Sequence, residues 1–101
     1  MTLRKLVRDR VPELLSEKSV EFRVSKVTGD EKLRFLLEKL KEEADELAKN
    51  PSVDEIVDVL EVLRAISEML NVSWEEVEKR RIIKLMKRGG FKKGLVMEMN
   101  S

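Results

Sequence analysis

Between Asn50-Pro51 and Asn71-Val72-Ser73 lies a stretch of helical length whose apolar residues do not keep to one face. Plotted at about 100° per residue, Asp54, Glu61, Arg64 and Glu68 share one polar arc. Val53, Ile56, Val59, Leu60, Val62, Leu63, Ile66, Met69 and Leu70 cover most of the rest. A helix apolar over so much of its circumference has to be buried on more than one side. In a chain of 101 residues that requirement points to a mainly α, antiparallel helix bundle completed by dimerisation. Residues 1–101 read as a single domain, since a chain of this length supports one core, and a modest one.

The flanks of this helix are marked by local chemistry. Asn50 precedes a proline and so avoids the helical region, while Ser52-Val-Asp-Glu55 is a capping box that opens the helix. The preceding long helix runs from about Glu31 to Lys49, with Leu33, Leu36, Leu37, Leu40, Ala44, Leu47 and Ala48 in one stripe. Ser73-Trp-Glu-Glu76 is a second capping box, and its helix runs to about Arg88 and stops at Gly89-Gly90. Near the N-terminus, Asp9 is placed to cap a short helix with Pro12 in its first turn, ending near Lys18. Val20, Phe22 and Val24 alternate with polar residues, so a short strand is expected over 20–27, pairing as a β-hairpin with residues 94–99.

Composition removes many chemistries. With no Cys and no His, disulfides, thiolate or imidazole metal sites and Cys or His catalysis are excluded. A formal net charge of +1 gives no global pull toward nucleic acid or an anionic membrane. The basic run from Lys79-Arg80-Arg81 to Lys93 follows Glu75, Glu76 and Glu78 and reads as a solvated helix face, so a nucleic-acid partner is disfavoured. No apolar run approaches a membrane span, and a cytoplasmic protein without a membrane partner is expected. Charged residues make up 41% of the chain and Gln is absent, a pattern like that of thermophile proteins.

What remains is carboxylate chemistry. Glu55 falls among Val59, Val62 and Ile66 instead of on the polar arc, and Asp58 lies one turn on. The capping box accounts for Glu55 alone but not for Asp58. On the preceding helix Glu43 and Glu46 form another i, i+3 pair along one flank of the leucine stripe, with Lys39 nearby. Consecutive helices joined by a short turn pack antiparallel, which would let the two pairs face each other. Anions so gathered need a cation, and an all-oxygen donor set favours Mg²⁺ first and Mn²⁺ second.

The string Glu42-Glu43-Ala-Asp-Glu46, followed by Glu55-Ile-Val-Asp58, resembles the EExxE…ExxD signature of the all-α nucleotide pyrophosphohydrolases, the MazG-like proteins and their phosphoribosyl-ATP pyrophosphatase relatives. Lys5-Leu-Val-Arg-Asp-Arg-Val-Pro-Glu13 resembles the KLVRDKIPE opening of one small branch. Lys39-Leu-Lys-Glu-Glu, Asp58-Val-Leu-Glu-Val-Leu63 and Lys84-Leu-Met-Lys-Arg-Gly-Gly-Phe91 fit the same branch, in the same order. The connection between Glu46 and Glu55 is shorter than in many MazG-like domains.

The resemblance implies metal-dependent hydrolysis of a nucleoside triphosphate to monophosphate and pyrophosphate, of house-cleaning type. It implies Glu43, Glu46, Glu55 and Asp58 as catalytic metal ligands, with Glu42 and Lys39 as outer groups, although Glu42 lies opposite the leucine stripe. It also suggests Lys84, Arg88, Lys5 and Arg8 as partners of the substrate phosphates. Lys84 and Arg88 are four apart on one helix face, beside Gly89-Gly90. Two other readings stay open: a phosphoribosyl-ATP pyrophosphatase, and a non-enzymatic helical interaction or regulatory dimer.

Overall fold

A computed structural model describes residues 3–100. Four helices follow one another: α1 (Val11–Ser16), α2 (Gly29–Lys49), α3 (Val53–Met69) and α4 (Trp74–Arg88). The three long helices begin and end where the local signals place them, to within two residues. Asn50 leaves the helical region at φ −141°, ψ 77°, as the following proline requires. Ser52 Oγ accepts from the Glu55 N–H and Ser73 Oγ from the Glu76 N–H, so each serine caps its helix.

The α3–α4 turn depends on Asn71, which takes φ 59°, a left-handed conformation that asparagine tolerates better than most residues. Its N–H donates to Glu68 O and the Val72 N–H to Ser67 O, while Ser67 Oγ returns a hydrogen bond to Val72 O. These bonds satisfy the last carbonyls of α3 and explain how Ser67, a polar side chain, can be buried. At the far end of α4, Gly89 adopts φ 79° and donates to Leu85 O, closing the helix.

Two local expectations fail. The N-cap of α1 is Arg10, without a side-chain cap; Asp9 does not fill that place, and the helix ends at Ser16 instead of near Lys18. The β-hairpin from 20–27 and 94–99 does not form, and no strand occurs among the described residues. Val20, Phe22 and Val24 are largely exposed, and Leu95, Val96, Met97 and Met99 are more so. A lone two-stranded ribbon is marginal in water unless a third strand or a helix covers one face, and here neither segment has such cover.

Packing is concentrated in one place. α2 and α3 lie against each other along their lengths, whereas α4 makes a small contact with α3 and none of note with α2. Phe35 and Leu36 from α2 and Val62 from α3 form the buried apolar centre. The radius of gyration is 17.6 Å, against about 13 Å for a compact domain of ~100 residues. The apolar circumference of α3 is therefore only partly covered within one chain: Val53 is 74% exposed and Ile56 54%.

The segment ahead of α1 has no regular structure, yet it is fastened to the helix pair. Arg4 lies over the Phe35 ring at 5.5 Å, and Arg34 flanks the same ring at 5.3 Å. Lys5 Nζ pairs with Glu42 at 3.3 Å and Arg8 Nη2 with Asp58 at 2.8 Å. These bonds lead the chain across α2 and onto α3.

Candidate metal centre

α2 and α3 bring acids together because they are antiparallel and joined by a turn of three residues, Asn50 to Ser52. The carboxylate oxygens of Glu43, Glu55 and Asp58 lie within 4.8 Å of one another, and all three residues are half-buried. Glu43 comes from α2, the other two from the first two turns of α3. The capping box at Ser52 forms in one direction only: the serine accepts from the Glu55 backbone, and no hydrogen bond from the Ser52 N–H to the Glu55 carboxylate occurs among the described residues. The Glu55 side chain is thus left for the cluster.

The electrostatics are those of crowded anions. Desolvation raises the Glu55 carboxyl above its ordinary pKa, and the charges of Asp58, Glu46 and Glu43 push it the same way. Glu43 is held by Lys39 at 3.2 Å; both side chains are about 15% exposed or less. The same ammonium reaches Glu42 at 3.3 Å. Burial works against ionisation of Glu42, but Lys39 and then Lys5 outweigh it, and its carboxyl falls below the usual range. Among the described residues Asp58 is held by Arg8 alone.

Three of the four acids read from the sequence therefore converge. Glu46 is exposed and stands outside the group of three, although its charge is felt at Glu55. Glu42, expected as an outer group although opposite the leucine stripe, is half-buried and bridges Lys5 and Lys39. Lys5 and Arg8 reach the acids directly. Lys84 and Arg88 form no ion pair among the described residues, and α4, which carries them, packs on α3 rather than α2. Lys84 instead lines an open cleft on α4 with Val72, Val77 and Arg80.

The Lys39–Glu43 bond follows from i, i+4 spacing and was available from the sequence. The Arg4–Phe35–Arg34 stack had no local signal, because it joins segments about thirty residues apart. Trp74 is half-buried and faces Arg64 at 5.1 Å.

The donor set fits a hard divalent cation. It is all oxygen, it carries more negative charge than its two basic partners offset, and its oxygens lie on the scale of two metal–oxygen bonds, about 4 to 5 Å. No helix is long and apolar enough to cross a membrane among the described residues. No protein-family model matches the chain, nor does any curated protein or solved structure.

Proposed function

We propose that the chain is a metal-dependent nucleotide pyrophosphohydrolase that cleaves a nucleoside triphosphate to monophosphate and pyrophosphate. The observation that carries this reading is the meeting of Glu43 with Glu55 and Asp58 across the antiparallel α2–α3 pair. The resemblance of the acid spacing to the MazG-like proteins supplies the reaction class.

Glu43, Glu55 and Asp58 would hold Mg²⁺ or Mn²⁺, with Glu46 next to them. A divalent ion held there would supply positive charge for the departing pyrophosphate and the phosphoryl oxygens. The protein's own groups do the rest. Lys39, half-buried and shared between Glu42 and Glu43, fixes the α2 carboxylates in place. A carboxylate of this acid group would take the proton from an attacking water. Lys5 and Arg8 stand beside the acids as cations for the phosphate chain.

The functional unit in this reading is a homodimer or a higher homo-oligomer. An open shape, a small buried centre and exposed apolar residues on α3, α4 and the tail support it. Phe91 is 98% exposed, and a second copy offers cover. A stable monomer by sedimentation at micromolar concentration would contradict this part.

The test is product analysis. The protein is incubated with NTPs, dNTPs and oxidised analogues with Mg²⁺, and products are resolved by ion exchange. Monophosphate plus pyrophosphate, abolished by chelation, is expected. Diphosphate plus phosphate would overturn the assignment.

A further inference from the structure

Two cations serve the acid cluster, and they are held very differently. Lys39 belongs to α2, shares its ammonium between Glu42 and Glu43, and is 15% exposed. Arg8 lies outside any helix, touches Asp58 through one Nη2–Oδ1 bond of 2.8 Å, and is 53% exposed at its side chain, with Asp58 at 41%. Exposed ion pairs of this kind contribute little net stability, because water competes for both charges. The Lys39 bonds are therefore part of the scaffold, and the Arg8 bond is the one that exchanges easily.

We infer that Arg8 is an exchangeable counter-ion: it neutralises Asp58 while no divalent ion is bound, yields that carboxylate to the ion, and then takes a phosphate group of the substrate. The inference rests on the metal-centre reading above and adds an order to it, cation first and phosphate second. Three observations carry it. Asp58 is one of the three converging acids, so the carboxylate whose charge Arg8 neutralises through Oδ1 is one that an ion in the cluster would also claim. Arg8 is the only basic residue paired with Asp58 among the described residues. The segment also stays tethered when that bond opens, because Arg4 sits over Phe35 and Lys5 remains on Glu42. A freed guanidinium thus stays at the mouth of the site. Its planar fork matches a phosphate better than a lysine ammonium does.

The exchange makes two predictions of opposite sign for Arg8→Gln, both read by calorimetry with no turnover required. Mn²⁺ alone binds the variant about two- to five-fold tighter than the native chain, since a competitor worth at most about one exposed ion pair has gone. Imidodiphosphate, added to the Mn²⁺-saturated proteins, binds the variant about ten-fold or more weakly, since a charged hydrogen bond has been lost. Arg8→Lys keeps Mn²⁺ binding near the native value but loses part of the anion affinity. Circular dichroism checks that both variants fold, which the position of Arg8 outside the helices favours. Unchanged or weaker Mn²⁺ binding in Arg8→Gln overturns the inference while leaving the metal centre standing, and so does unchanged imidodiphosphate binding. A native chain that binds no Mn²⁺ at all overturns both readings together.

Discussion

The α2–α3 pair and α4 with its tail are built from residues of similar kind, yet they are held by different means. In the pair, Phe35, Leu36 and Val62 are buried between the helices, and carboxylates gather at the turn end. In α4 no residue is buried; its order comes from Ser73 at the start, Gly89 at the end, and surface pairs such as Glu76–Arg80 at 2.9 Å. Charge divides along the same line. Residues 74–101 hold eight Lys and Arg against four acids, and residues 1–73 hold 13 against 16. Tertiary packing thus fixes the part that carries the proposed chemistry, whereas caps, surface ion pairs and a small contact with α3 hold the other.

Substitutions test that division, the largest effects first. Glu43→Gln and Asp58→Asn each remove metal-dependent turnover with the helical circular dichroism unchanged; activity retained in either would dissolve the cluster assignment. Leu36→Ala, at the buried centre, costs about 2–5 kcal/mol, a large share of the stability of a small domain, and urea melts would register it. Lys84→Ala separates the regions functionally: if α4 reaches substrate, KM rises while the melting temperature stays put, and an unchanged KM removes Lys84 from the site. Arg80→Ala, which opens the exposed pair with Glu76, costs about 0.3–0.5 kcal/mol, near the limit of a denaturation curve.

Glu55 gives the pH test. Its folded pKa is raised by desolvation and by Asp58, Glu46 and Glu43, so the folded chain binds its proton more tightly than the unfolded chain. Ionised Glu55 therefore weakens the metal-free fold at neutral pH, and that loss is relieved as pH falls through the raised value. Glu55→Gln is expected to melt higher than the native chain in EDTA at pH 7. The difference should shrink toward zero below the Glu55 range, where Glu42, with its lowered pKa, affects both proteins alike. A difference that does not vary with pH would mean that crowding of charge is not the cause.

Legibility from sequence follows the range of the interactions. Helix ends were readable at Asn50-Pro51, Ser52, Ser73 and Gly89 because each signal acts within a few residues. The facing of Glu43 with Glu55 and Asp58 was readable because a three-residue turn leaves two helices little choice of partner. The exposure of Glu46, the partial burial of Glu42 and the departure of α4 from α2 were not, because each depends on the crossing of whole helices. The strand expected at Val20–Val24 shows the same limit from the other side. Alternation describes a strand that has something to pair with, and no local rule says whether it does.

The Phe35 ring leads to a point about assembly. It is 8% exposed although two of its neighbours are guanidinium groups, Arg4 and Arg34, rather than apolar side chains. Cations that roof an aromatic ring exclude water from it while remaining wet themselves. The Phe35 ring is therefore closed off beside the N-terminal segment, while uncovered apolar residues remain along the chain, from Leu3 and Val24 to α3, α4 and the tail. Apolar surface gathered in one self-complementary face closes by twofold pairing, whereas two separate adhesive patches would let the assembly grow head to tail without end.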